Sequence, residues 1–316
     1  MHGKHAGHEA GSAFIDPIAT ADAACGLMVS HAGPYNGAIA RGGKGVSRMT
    51  DLSAVQALVL DMDGVLWRGD QVIPEAPAFL DFLRARGIPF ALATNNSGQA
   101  PPDYEEKLSR LGLGEVPFDR IITSGVVTAR YLSDHLPQGA GVYVVGGDGL
   151  RALVQQAGFA LSETDVAAVV AGIDRQFTYQ KAWTATKHIR AGALFIGTNP
   201  DVTFPMPDGP SPGAGSILAM LAAAGGREPL VMGKPAVHMF ESAVRALGTE
   251  PAQTLMIGDR LDTDILGARS AGLQTALVLT GIESRASVEL HPDMGDTLVV
   301  DTLADLQAQM VLALQN

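Results

Sequence analysis

From about residue 55 onward, apolar and polar positions alternate between two patterns. "VQALVLDMD" (55–63) is a continuous apolar run that breaks at acidic residues, as a strand buried on both faces does. "APAFLDFLRARG" (76–87) has apolar residues at helical spacing and stops at Gly87. The pattern repeats with a strand in "IPFALATNNS" (88–97), a helix with proline near its start in "PPDYEEKLSRLGLG" (101–114), a strand in "FDRIITSG" (118–125) and a helix in "VVTARYLSDHL" (126–136). Such alternation predicts a parallel sheet with helices on both faces. "PQGAG" (137–141) reads as a linker, and a second series follows: "VYVVGG", "GLRALVQQAG", "VAAVVAGI", "TYQKAWTATKHIRAG" and "LFIGTN", ending near "AAAGGREP" (222–229). The first series then resumes with "LVMGKP", "HMFESAVRALG", "TLMIGDRLDTDILGARSAG" and "TALVLTG". The expected organisation is one α/β domain, residues 50–136 and 229–316, interrupted by a second α/β domain, residues 137–228.

Residues 1–49 lack either period. They are rich in Gly, Ala and His and are expected to form a disordered extension. His2, His5 and His8 on such a tail read as incidental rather than as a metal site, and Met49 is a candidate alternative start. The whole chain of 316 residues, 47% hydrophobic and 17% charged, has ample material for two cores. Its formal net charge of -11 argues against a partner held by a nucleic-acid backbone. A single phosphate, neutralised locally by a metal and a lysine, is compatible with that charge. The one cysteine, Cys25, excludes an intrachain disulfide and a cysteine zinc cluster and suits a reducing cytoplasm. No apolar run approaches the ~18 residues of a membrane span, and the N-terminus lacks the order of a secretory signal.

The chemistry concentrates at strand ends. Asp61 and Asp63 share one face if their strand persists, and two converging carboxylates repel unless a cation or proton intervenes. A solvated turn is the alternative for this stretch taken alone. Ligands of open parallel sheets bind beyond the carboxyl ends of the strands, so the following loops share a site. Four such loops collect Asp61 and Asp63; Thr94, Asn95 and Asn96; Lys234; and Asp259, Asp262 and Asp264. Carboxylates on two loops suit Mg²⁺, while the lysine and the small hydroxyl and amide groups suit phosphate oxygens.

In order and placement these loops resemble the four motifs of the haloacid dehalogenase-like (HAD) phosphatases: Asp61-Met62-Asp63-Gly64, Thr94-Asn95-Asn96-Ser97, Lys234 in "GKP", and Asp259 to Asp264 in "GDRLDTDI". The resemblance covers about residues 53–316. It implies a Rossmann-like parallel-sheet core, with Asp61 as nucleophile, Asp63 as general acid and then base, and Lys234 beside both Asp61 and the phosphate. Mg²⁺ would be held by Asp61, the main-chain carbonyl of Asp63, and Asp259. Asp264 would orient metal-bound water, Thr94 and Asn95 would donate to phosphate, and Asp262 is equally well a solvated turn residue.

The long interval falls between the second and third motifs, which in this superfamily implies an inserted α/β cap of the C2 type. "GTNPDVTFP" and "SPGAGS" resemble the subfamily of NagD-like nucleotidases, phosphoglycolate phosphatases and pyridoxal phosphate phosphatases. The substrate class implied is a small phosphorylated metabolite: nucleotide, sugar, glycolate or glycerol, or pyridoxal phosphate. Cap loops offer Asp174, Arg175 and Asn199 as substrate contacts, with Asn96 from the core, although ordinary loop polarity is the more economical reading of the three cap residues. A homodimer paired through the cap is an assembly open to such a chain. A carbon–halogen hydrolase would not need Asp63, because halide leaves unprotonated. A non-catalytic binding or regulatory protein on the same fold predicts damage to Asp61, Asp63, Lys234 or Asp259, and all four are intact. "VVGGDGL" (144–150) does not make a dinucleotide GxGxxG, Trp67 reads as a packing residue near the entrance, and His188 and His238 read as ordinary helix residues.

Overall fold

The computed structural model describes residues 50–204, 206, 209–291 and 294–315. The expected extension, residues 1–49 with its three histidines, therefore lies outside the described residues. The chain enters with β1 (Ala57–Asp61), a hairpin of β2 (Trp67–Arg68) and β3 (Gln71–Val72), α1 (Ala76–Ala85), β4 (Phe90–Thr94), α2 (Pro101–Arg110), β5 (Ile121–Thr123) and α3 (Ser124–His135). It continues with β6 (Gly141–Val145), α4 (Asp148–Gln156), β7 (Ala160–Leu161), β8 (Val166–Ala171), α5 (Tyr179–Arg190), β9 (Leu194–Gly197), β10 (Thr203–Phe204), β11 (Ser211–Pro212), α6 (Ala214–Gly225) and β12 (Leu230–Val231). It closes with α7 (Val237–Leu247), β13 (Thr254–Gly258), α8 (Leu266–Ser270), β14 (Gln274–Val278), α9 (Arg285–Leu290), β15 (Leu298–Val300) and α10 (Leu303–Ala313).

Two parallel sheets result. The first has six strands in the order β15-β14-β13-β1-β4-β5, with β1 at its centre between β13 and β4. Every residue of β1 is buried, and helices cover both faces, which is why the run "ALVL" shows no alternation. Two apolar cores flank it. Leu58 and Leu60 pack into one with Leu92, Leu255 and Ile257, while Val59 packs into the other with Ala91, Ala93 and Met256. The second sheet has five strands in the order β12-β9-β8-β6-β7 and carries its own apolar cluster against α5 and α6.

One strand joins a different sheet from the expected one. "LVMGKP" was expected to resume the first sheet, but Leu230 and Val231 pair with Ile196 and Gly197 of the second. Met232 N–H and Gly233 N–H extend that pairing to the carbonyls of Gly197 and Thr198. The physical reason is an open edge: β9 offers unpaired main-chain groups, and a two-residue apolar strand carries no pattern that specifies a sheet. The short pairings β2–β3 and β10–β11 fall below the resolution of periodicity. Among the described residues no helix is long and apolar enough to cross a membrane.

Candidate active site

β1 and β13 are neighbours in register, so their carboxyl ends place Asp61 and Asp259 side by side. Asp264 returns to the same point through a single wide turn, Leu261–Ile265, that precedes α8. Gly258 allows this approach, because a Cβ there would overlap the Asp264 side chain. Gly64 has φ +86°, a conformation that L side chains rarely adopt, and a Cβ on it would overlap Asp259 Oδ2. One oxygen each from Asp61, Asp259 and Asp264 lies within 4.8 Å of the others, and all three residues are buried.

Lys234 reaches this group from the loop after β12. Its Nζ is 2.5 Å from Asp61 Oδ1 and 2.7 Å from Asp264 Oδ1, and only 3% of the residue is exposed. Burial alone would lower the lysine pKa, but Asp264 and Asp61 outweigh it, so the ammonium is held more firmly than in water. One ammonium does not neutralise three carboxylates. Burial raises the Asp61 carboxyl well above the usual carboxylate range, Lys234 draws it back, and Asp264 and Asp259 add to the rise. Asp259 is pushed up to about 6 by burial and then by Asp264, against a main-chain hydrogen bond from Ile282 to its Oδ2. Its Oδ1 is buried without a hydrogen-bond partner. A surplus of buried negative charge and an unpartnered carboxylate oxygen together fit a hard divalent cation.

Asp63 stands apart from this triad. It is exposed, and its Oδ1 accepts the indole N–H of Trp67 at 2.9 Å. Asp262 is also exposed and pairs with Arg260 at 2.9 Å.

The second loop is organised differently from a simple set of phosphate donors. Both amide protons of Asn95 are engaged, one with the Lys234 carbonyl and one with Asp201 Oδ2, each at 3.0 Å. Asn95 Oδ1 accepts the Lys234 N–H at 2.7 Å. The side chain thus grips the lysine main chain from both sides, and a phosphate contact from Asn95 has to come from its own main chain. Thr94 is buried and its hydroxyl accepts the Asn96 N–H at 3.2 Å. Asn96 closes a turn onto Gly98 N–H and donates to Gln99.

The residues expected from the second sheet divide. Asn199 is buried and donates to the Asn95 carbonyl at 2.6 Å, so it braces the loop after β4. Asp174 is buried and paired with Lys181 at 2.7 Å. Arg175 is exposed and has no carboxylate partner among the described residues; its guanidinium sits 6.0 Å from the Phe204 ring centre. Asn96, Asp174, Arg175 and Phe204 line a cavity of about 950 Å³ at the carboxyl ends of β6 and β8. The acidic triad and Lys234 are not part of its wall.

Periodicity and motif spacing missed Asp201 and Arg260. Asp201 is part-buried, accepts from Asn95 and lies 3.5 Å from Arg260 Nη1. Burial raises its carboxyl pKa, and Arg260 and Asn95 oppose the rise. Both residues lie inside quoted stretches, "TNPD" and "GDRLD", so the signal that could have found them was a charged pair bridging two motifs.

The sequence profile of the haloacid dehalogenase-like hydrolases matches residues 58–160, and a HAD-hydrolase-like profile matches residues 231–306. A dihydroxyacetone phosphatase of Corynebacterium glutamicum is 41% identical over 246 residues, 78% of this chain and 88% of that protein. The solved structure of a 4-nitrophenylphosphatase from Thermotoga maritima superimposes with a TM-score of 0.77 at 32% identity, over 81% of this chain and 98% of that one. NagD from E. coli K-12 does so with a TM-score of 0.74 at 29% identity, over 80% and 98%.

Proposed function

The chain belongs to the haloacid dehalogenase-like hydrolases, and from that premise we propose that it is a Mg²⁺-dependent phosphatase of small phosphorylated metabolites that works through an aspartyl-phosphate. The observation that carries the reading is the buried group of Asp61, Asp259 and Asp264 around Lys234, with more negative charge than one ammonium can balance. Asp61, Asp259 and the Asp63 main-chain carbonyl would hold Mg²⁺. Bound there, Mg²⁺ supplies the positive charge that lets a carboxylate and a phosphate approach each other.

In the first step Asp61 bonds to phosphorus as the bond to the leaving oxygen breaks, and Asp63 delivers a proton to that oxygen. Lys234, on Asp61 Oδ1, leaves the second carboxylate oxygen as the attacking atom and carries positive charge to the same point. In the second step Asp63 takes a proton from water, which attacks phosphorus and returns Asp61 to its carboxylate. Asp264 holds Lys234 in place through both steps.

Residues 50–136 and 234–316 make the catalytic core in this reading, and 137–233, with β12 now included, the C2 cap. Asn96 and Arg175, at the cavity of about 950 Å³, are placed to meet the leaving group. The substrates named for relatives, dihydroxyacetone phosphate and 4-nitrophenyl phosphate, support a small phosphomonoester. A cytoplasmic setting and a homodimer through the cap complete the reading, supported by the single cysteine and by Tyr179 and Trp183 exposed on α5. Nucleic acid and membrane have no part in it, given the net charge of -11.

The test is phosphate release from an aryl phosphate and a panel of phosphorylated metabolites, with Mg²⁺ and with EDTA. Release that stops with EDTA and returns with Mg²⁺ is expected. Turnover that is indifferent to chelation, or none on any phosphomonoester, contradicts the proposal.

A further inference from the structure

Trp67 is wholly buried within the main core, yet its one polar atom is directed at an exposed carboxylate. The turn after β1 sets this up. Leu66 N–H and Trp67 N–H both donate to the Met62 carbonyl, and Gly64 N–H donates to the Trp67 carbonyl at 2.7 Å. The tight loop folds the indole back under Asp63. Lys107 of α2 lies over the other side, its Nζ 4.3 Å from the Trp67 ring centre. An indole N–H only donates, so Asp63 Oδ1 is committed to accepting. Oδ2 is left as the oxygen that can carry and transfer a proton. A cation over the ring draws density from it and strengthens the N–H as a donor.

We infer that Trp67 is a positioning residue for phosphoryl transfer: its indole N–H fixes the Asp63 carboxyl so that Oδ2 faces the leaving group, with Lys107 reinforcing the bond. The inference rests on the reading of Asp63 as the acid. Among the described residues no other side chain hydrogen-bonds to Asp63, so without the indole the carboxyl is free to rotate. The step itself is unchanged: the proton moves from Oδ2 to the leaving oxygen as the phosphorus–oxygen bond breaks. What is lost is the fraction of encounters in which the acid points the right way, and that loss matters only where the leaving group needs a proton.

The test compares Trp67→Phe with wild type by single-turnover release of the leaving group at saturating Mg²⁺, using an alkyl phosphate and p-nitrophenyl phosphate. A second protein guards against a packing effect. In a Trp183→Phe background, Trp67 is replaced biosynthetically by its benzothiophene isostere, which keeps the shape and removes only the N–H. Both are expected to slow the alkyl ester about tenfold, about 1.4 kcal/mol, and the aryl ester less than about threefold, with KM unchanged. Lys107→Met is expected to give a smaller loss with the same bias. Equal losses on the two esters, or no loss with the isostere, overturn the inference while Asp63→Asn still shows the leaving-group bias. If Asp63→Asn shows no bias either, the acid role fails and the inference with it.

Discussion

Replacing Asn95 by alanine separates a residue that binds phosphate from one that holds Lys234 in place. The wild-type side chain makes three hydrogen bonds, to Lys234 N–H, Lys234 carbonyl and Asp201, at 2.7, 3.0 and 3.0 Å. At about 1 kcal/mol each, their removal lowers stability by roughly 3 kcal/mol. At about 2.1 cal/mol/K of unfolding entropy per residue, a chain of 316 residues then loses about 4–5 °C of Tm. The freed lysine main chain also lets Nζ shift from Asp61, and a displacement of about 1 Å is worth roughly a hundredfold in rate. Thermal melts with Mg²⁺ present, with kcat and KM on p-nitrophenyl phosphate, measure both effects. The expected result is a lower Tm and a lower kcat, with KM changed little. Asn95→Asp keeps the acceptor for Lys234 N–H but sets a second carboxylate against Asp201, so it should be at least as damaging. Adding Asp201→Asn should restore part of the loss. A raised KM with Tm within about 2 °C of wild type would refute the reasoning and return Asn95 to direct phosphate contact.

Three further outcomes follow from the same geometry. Gly64→Ala forces a left-handed backbone on alanine and drives its Cβ into Asp259, so titration calorimetry should show Mg²⁺ affinity falling by at least tenfold. In the metal-free chain Asp259, raised to about 6, keeps its proton where an unfolded aspartate, near 3.9, has lost it. The folded state therefore binds the extra proton between about pH 4 and pH 6, and stability falls as pH rises through that window, by up to roughly 3 kcal/mol. Mg²⁺ relieves this, so the Tm gained on adding Mg²⁺ should be larger at about pH 7.5 than at about pH 5; an equal or smaller gain would contradict it. Asp174→Asn breaks a buried pair with Lys181 and should lower Tm with little effect on kcat, whereas Arg175→Ala should raise KM for metabolite phosphates and leave Tm unchanged, both read by melts and steady-state rates.

Much of this site was legible because parallel sheets bring successive strand ends together. Asp61, Asp259 and Asp264 could be assigned to one point from the apolar runs that precede them, since β1 and β13 are both fully buried strands. Lys234 was found for a partly mistaken reason: it follows a strand, but that strand belongs to the second sheet. Edge pairing of a two-residue strand depends on which neighbour has an open edge, and hydrophobic pattern does not encode that. The amide of Asn95 could not be placed either, because asparagine suits a phosphate, a turn and a main-chain clamp equally well. Its choice is made by Asp201 and Lys234, each more than a hundred positions away in sequence. Trp67 looked like core and is core; only its one polar atom, and where the turn sends it, distinguishes it from a phenylalanine.

The central claim is that Asp61 carries the phosphoryl group. It is tested most directly by rapid acid quench of the Asp63→Asn variant, which on the proposed mechanism keeps the nucleophile and lacks the base for hydrolysis, mixed with p-nitrophenyl phosphate and Mg²⁺. Peptide mass spectrometry should find a phosphoryl adduct on the segment containing Asp61, labile to hydroxylamine, at close to one per chain and absent from Asp61→Asn/Asp63→Asn. A burst of p-nitrophenolate with no adduct on Asp61, or an adduct that persists without Asp61, would contradict the account.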